Sequence, residues 1–128
     1  MIDEELRALR KYIVSECKVN CGIGLRDISS DDYPYVEILP VNPIPLYYNT
    51  SKLFVMNMEV TLRITVDRKN EIEAFDVLER LLKKVLQFNR KYGHSVEPGA
   101  EAVPEYDEDN TTYMISVPFI LKLTAQDT

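Results

Sequence analysis

With 128 residues, 45% of them hydrophobic and 28% charged, the chain has the size and composition of one folded domain, 1–128, which argues against intrinsic disorder. Its apolar runs are shorter than the roughly 18 residues of a membrane-spanning helix, and MIDEELRALRKY lacks the layout of a secretory signal, so we expect a cytoplasmic site of assembly and no membrane partner. The net charge of −6 argues against a protein that binds phosphate backbones, which needs a basic stripe.

The first predicted element is an amphipathic helix from Ile2 to about Cys17. Apolar residues recur in it at helical spacing: Leu6, Leu9, Ile13 and Cys17. Acidic residues occupy its first turn, which suits the helix dipole. Asn20 and Gly22 tolerate left-handed backbone, so we expect one of them to terminate it.

The two cysteines, Cys17 and Cys21, lie four residues apart, and the single histidine, His94, is far away in sequence. A structural zinc needs four ligands, and a disulfide scaffold contains more cysteines. We therefore expect reduced thiols, no metal and no cofactor.

Two short strands are predicted next. Residues 22–30 are ambiguous and form at most one brief strand that contains Ile23, Leu25 and Ile28. Tyr35 to Leu39 reads as a strand, and Pro40 should end it because proline donates no ladder hydrogen bond.

The clearest pattern is the alternation of apolar and polar residues from Leu53 to Val66. The apolar positions are Met56, Met58, Val60, Leu62, Ile64 and Val66. A period of two over this length predicts a long strand with one face on a core and a polar face outward.

A second helix of roughly twenty residues follows and should stop at Gly93. Its predicted core face consists of Ile72, Phe75, Leu78, Leu82, Val85 and Leu86.

The segment from Glu97 to Asp109 contains six acidic residues and no lysine or arginine, so it carries the whole charge imbalance of the chain. It lacks the ligand spacing and turn glycine of an EF-hand, so we interpret it as a solvated acidic loop. The last predicted strand, 111–124, again alternates. Pro118 should place that strand at an edge or in a bulge.

This order of elements predicts an α+β two-layer sandwich. The mixed or antiparallel sheet would have about four strands, covered on one face by two helices. The weak strand within 22–30 could pair with either long strand, so the strand order is left open.

Catalytic groups do not form a recognisable constellation in the sequence, so we do not expect an enzyme. His94 follows a glycine that stops a helix and reads as a surface loop residue.

Three stretches carry a resemblance to a known family. After the amphipathic helix, DYPYVEI (32–38) leads from an acidic residue and an aromatic–Pro pair into a short strand. MEVTLRITV (58–66) forms the long strand, and YMISVPF (113–119) follows the acidic segment. In this order the chain resembles the tail terminator, or tail completion, proteins of long-tailed bacteriophages, the lambda-like minor tail group.

The resemblance implies a virion protein that forms a ring, typically a hexamer, on the head-proximal end of the tail tube. The ring would end tube polymerisation and provide the head-docking surface. Its partners would be copies of itself, the tail tube protein and a head completion or connector protein, with DNA only in passage through the channel.

Two segments are candidates for these contacts. Pro40–Lys52 is either an interaction arm, with Pro43, Pro45, Tyr47 and Tyr48 at a subunit or tube interface, or a segment that packs over its own sheet. The acidic residues Glu105, Asp107, Glu108 and Asp109 are expected near the channel or the head-facing surface, where a negative wall repels DNA phosphates.

Other functions remain open at this point. The chain could be another connector component, such as a head-closure or tube protein. It could also be a small-molecule-binding α+β regulatory domain that uses the polar sheet face around Arg63.

Overall fold

The structure, a computed structural model, describes residues 2–25, 28–40, 46–48, 53–92 and 95–126. Two α-helices are present, α1 (Ile2–Cys17) and α2 (Glu71–Tyr92). The strands are β1 (Asn20–Ile23), β2 (Tyr35–Leu39), β3 (Leu46–Tyr48), β4 (Leu53–Asp67), β5 (Ser95–Pro98), β6 (Val103–Asp107) and β7 (Thr112–Gln126). These elements confirm the α+β class. His94 lies outside the described residues.

The described strands form one mixed sheet in the order β1-β2-β4-β7-β5. β3 pairs with β4 on the same side as β2, and β6 pairs with β7 on the same side as β5. The β1–β2 pair is parallel and the other pairs are antiparallel. The prediction of about four strands was too low, because it missed the short strands β3, β5 and β6.

The centre of the sheet is the β4–β7 ladder, which runs through fifteen residue pairs from Leu53↔Gln126 to Asp67↔Thr112. The alternation predicted for both strands is confirmed: one face of each strand lies against the helices. The buried members are Met58, Val60, Leu62, Ile64, Val66, Tyr113, Ile115, Val117, Phe119 and Leu121. We call the other face of the sheet the open face.

Both helices pack on the same face of the sheet and against each other. The predicted stripe of α1 is buried. Tyr12 donates its hydroxyl to the Lys84 carbonyl at 2.6 Å, and its ring lies 5.1 Å from that of Phe88. This contact fixes α1 beside α2, with α1 over β1 and α2 over β4, β7 and β5.

The predicted end of α1 at about Cys17 is confirmed, but the predicted terminating residue and the predicted weak strand were wrong. The helix ends at Cys17, and Lys18 adopts the left-handed backbone (φ 56°) that we assigned to Asn20 or Gly22. Asn20 and Gly22 instead belong to β1, which pairs with β2 and not with either long strand. Leu25, placed in that strand by the sequence, is 76% exposed.

The core face predicted for α2 was also largely wrong. Buried positions are Ala74, Val77, Leu81, Val85 and Phe88, whereas Ile72, Phe75, Leu82 and Leu86 are exposed. The apolar arc of α2 is wider than one helix–sheet contact can cover. Periodicity alone cannot decide which part of such an arc is buried.

The acidic segment is not a loop throughout. Residues 95–98 and 103–107 form β5 and β6 along the outer side of β7, and residues 108–111 turn the chain between β6 and β7.

Pro118 occupies the position on β7 where the outer partner changes from β5 to β6. Four residues, 99–102, lie opposite Val117 and Pro118, so the outer strand is bulged. Gly99 donates its N–H to the Pro118 carbonyl at 2.8 Å. The N and O of one residue in an antiparallel strand point to the same side, so the missing proline N–H faces this bulge rather than β4. The predicted irregularity at Pro118 therefore lies in the outer strands: β7 itself is not bulged, since it pairs with β4 through Pro118 without interruption, and it lacks a ladder partner only on its outer side.

Gly99 leaves no room for a side chain. A Cβ at this position would lie 2.5 Å from Pro118 Cγ and 2.9 Å from the Pro118 carbonyl oxygen. We predict that Gly99→Ala lowers the free energy of unfolding by roughly 1–3 kcal/mol, since the rigid ring cannot turn away. Urea denaturation checks this, with Glu101→Ala, an exposed substitution in the same bulge, as the control. Equal stability of the two variants would contradict the close contact.

Candidate assembly surfaces

The outward side of α2 presents large apolar side chains to solvent. Its members are Ile72 (79% exposed), Phe75 (51%), Leu82 (41%) and Leu86 (37%), which we call the α2 stripe. Their spacing places them along one side of the helix. The exposed Glu79–Lys83 ion pair (2.9 Å) lies between Phe75 and Leu82 on this side, so the stripe is apolar with a charged pair at its centre. Large apolar side chains exposed together in this way are typical of a protein–protein contact.

The α2 stripe continues onto strand β6. The Phe75 ring lies 6.1 Å from Tyr113, and Tyr113 lies 4.9 Å from Tyr106, which is 49% exposed. Tyr106 donates its hydroxyl to Glu71 Oε1 at 2.5 Å, and the Arg68 guanidinium lies 5.3 Å from its ring. The hydrogen bond to the Glu71 carboxylate is the main cause that raises the pKa of Tyr106. These contacts join the outer strand to the start of α2.

The four acidic residues predicted to face the channel or the head lie together in the β6–β7 hairpin. Glu105 and Asp107 belong to β6, and Glu108 and Asp109 to the turn. Asp107 accepts hydrogen bonds from the Asp109 N–H (3.1 Å) and the Asn110 side-chain amide (2.8 Å). The Asn110 side-chain bond is the main cause that lowers the pKa of Asp107, so this carboxylate stays charged and holds the turn. Their functional assignment stays a prediction.

The proposed interaction arm is only partly described. Pro43 and Pro45 lie outside the described residues. Tyr47 and Tyr48 belong to β3, which pairs with Val55 and Phe54 of β4. The middle of the segment therefore adds a strand to the sheet, and the interface role of the four residues stays a prediction.

A buried ion pair on the open face was missed by the sequence analysis. Arg63 of β4 donates from Nε (3.0 Å) and Nη2 (2.7 Å) to one oxygen of Glu37 on β2, its partner in register. Glu37 is 2% exposed. A charged residue inside the short apolar strand 35–39 was the signal in the sequence, because a buried charge requires a partner.

This ion pair borders a polar cleft of about 520 Å³, which Tyr33, Thr65, Asp67, Asp107 and Thr112 also line. Burial, followed by the charges of Asp67 and Asp107, raises the pKa of Tyr33. The cleft is open to solvent and large enough for a small polar ligand.

The cysteines are free and buried. Burial raises the pKa of Cys17 to about 11 and that of Cys21 to about 12, so both thiols are protonated at neutral pH. Among the described side chains, histidine, cysteine and acidic residues form no cluster that could hold a metal ion.

In the part of the chain that the structure describes, neither helix has the length and apolar character needed to cross a membrane. No protein-family model matches the chain, and no curated protein matches it with significant similarity.

Removal of one partner of the Glu37–Arg63 pair should destabilise the fold. We predict that Arg63→Met lowers the free energy of unfolding by roughly 2–4 kcal/mol, because it leaves the buried Glu37 carboxylate without its cation. Urea denaturation measures the loss. Lys83→Met, which breaks the exposed Lys83–Glu79 pair (2.9 Å), is the matched control and should cost no more than about 0.5 kcal/mol.

A second variant separates the ion pair from general damage. The double substitution Glu37→Leu with Arg63→Met removes both charges and should recover most of the lost stability. An Arg63→Met variant no less stable than Lys83→Met would contradict this role of the pair.

Proposed function

We propose that the protein is a structural virion component that forms a ring, hexameric by the family resemblance, on the head-proximal end of a bacteriophage tail tube. The ring ends tube polymerisation and provides the surface that docks to the head. The order of elements that carries the resemblance supports this proposal. The single structural observation that supports it most is the exposed α2 stripe.

The α2 stripe favours an assembling protein on physical grounds. Burial of apolar surface contributes about 25 cal/mol per Å², and four large side chains together with Tyr106 provide a substantial fraction of a subunit contact. A ring ends polymerisation when one of its faces reproduces the contact of a tube subunit and the opposite face does not.

The proline–tyrosine segment and the acidic hairpin also contact other parts of the virion in this proposal. Pro43, Pro45, Tyr47 and Tyr48 contact a neighbouring subunit or the tube. Of the four acidic residues predicted near the channel or the head, Asp107, Glu108 and Asp109 keep that role, and their negative charge prevents DNA from adhering during its passage. Glu105 is assigned to a subunit contact instead. The chain acts through its shape and not as an enzyme.

The test compares two glutamate substitutions on α2. Leu82→Glu places a charge in the stripe, whereas Gln87→Glu places the same charge on an exposed position outside it. We predict that the native protein and Gln87→Glu form rings of constant size in negative-stain images, and that Leu82→Glu weakens assembly at least tenfold. Both variants should melt like the native protein, since neither position is in the core.

Addition to growing tail tubes tests the capping step. The native protein should shorten the tubes and fix their length, and Leu82→Glu should not. Tubes that grow unchanged in the presence of the native protein would overturn the proposed function.

The open-face cleft favours a second candidate, a regulatory domain that binds a small molecule. The cleft offers the free side of the Arg63 guanidinium together with hydroxyl and carboxylate groups. Solution mass separates the two candidates, because a compact dimer favours the regulatory domain and a ring favours the tail terminator.

A further inference from the structure

The two outermost positions of the described sheet carry opposite charge. On one side is β1, with α1 packed over it; on the other are β5 and β6, with α2 and its stripe beside them. We call these the α1 edge and the α2 edge. The body of the sheet separates them, so charges on the two edges do not neutralise one another within one copy.

The α2 edge is acidic. The segment 97–109, which runs from the end of β5 through the bulge and β6 into the turn, contains six carboxylates and no lysine or arginine. Of these, Glu97 is paired within the same copy with Lys122 of β7 at 2.8 Å. Glu101 in the bulge and Glu105 on β6 are exposed, and between them Val103 is 51% exposed. Val103 and Glu105 alternate with Tyr106 along β6, so they lie on the open-face side of this strand, whereas Tyr106 lies on the helical side beside Glu71. The α2 edge therefore has the apolar α2 stripe on its helical side and acidic residues on its bulge and open-face side.

The α1 edge is basic along the C-terminal half of α1. The outward side of this half and the residue after it carry exposed Arg10, Lys11 and Lys18 around Val14, which is 40% exposed. The acidic first turn lies at the other end of the helix, where Asp3 is paired with Arg7 at 3.2 Å. Arg10 donates from Nε to the Cys21 carbonyl of β1 at 2.9 Å, so a cation covers the outer strand. Two shallow clefts of about 330 and 210 Å³, both lined by Val14 and Asn20, follow this edge.

We propose that the partner of the α2 edge is the α1 edge of a second copy of this chain. Glu101 and Glu105 of one copy face Lys11 and Lys18 of the next, and the α2 stripe of one copy covers Val14 and the adjoining clefts of the other. This inference rests on the proposed function and specifies the contact that closes the ring.

Charge selects this arrangement over a two-fold dimer. An isologous contact would place the acidic edge on another acidic edge, or the basic edge on another basic edge, which is unfavourable. A head-to-tail contact pairs opposite charges at every interface. Each copy then uses both edges once, as a closed ring requires.

The experiment reverses the charge of each edge separately and then of both. Glu101→Lys with Glu105→Lys makes the α2 edge basic, and Lys11→Glu with Lys18→Glu makes the α1 edge acidic. All four positions are exposed. Each double variant alone should lose ring assembly at least tenfold, measured by sedimentation velocity and negative-stain imaging.

The decisive measurement is whether ring assembly is restored when both edges are reversed. An equimolar mixture of the two double variants, and equally a single chain with all four substitutions, again pairs opposite charges and should form rings. Circular dichroism and thermal melting check that each variant is folded. The milder glutamine substitutions at the same four positions should weaken assembly in proportion and become less distinct from the native protein at high salt.

The outcomes separate this inference from the proposed function. If the native protein and both double variants form rings equally well, or if the fourfold variant is not restored, the edge pairing is overturned while the ring stands. If the native protein forms no ring, alone or on tube ends, both are overturned.

Discussion

The pairing of β4 with β7 is the constraint on which the rest of the structure depends. Fifteen residue pairs fix its register, and the alternation of both strands assigns every side chain to the helical face or the open face. A slip of one residue would expose Phe119 and Leu62 and bury Arg63 against the helices. The same register places Arg63 opposite Glu37, so the core and the ion pair are set by one alignment.

The interruption of the outer strands explains why part of α2 is left uncovered. On its outer side, β7 pairs with β6 before Pro118 and with β5 after it. Pro118 itself lies opposite the bulge that begins at Gly99. The outer column of the sheet therefore consists of two short strands, and α2 buries Leu81 and Val85 while Leu82 and Leu86 remain exposed. We infer that the surface used for assembly results from this limit on the width of the sheet, with the acidic residues of the outer strands at its rim.

Patterns that depend on neighbouring residues in the sequence were predictable. The helix at 2–17 and the alternation of the two long strands are local signals, and both are found. Strands β3 and β6 each pair with the long strand that follows them in the chain, and β5 pairs with β7 beyond β6. Their structure depends on this pairing, which a window of three to five residues does not reveal. The position of β1 was misjudged for the same reason, because it is set by a parallel partner fifteen residues away. The buried side of α2 depends on where the sheet ends. The partner of Glu37 depends on the register between two strands. Neither could be predicted from periodicity alone.

A photo-reactive amino acid at position 82 tests directly whether the α2 stripe is covered by another copy. We predict cross-links between chains that join position 82 to the region of Val14 and β1, and we predict that these cross-links are lost when the ring is dissociated. Intact rings in which position 82 cross-links only to its own chain, or remains accessible to water, would contradict it.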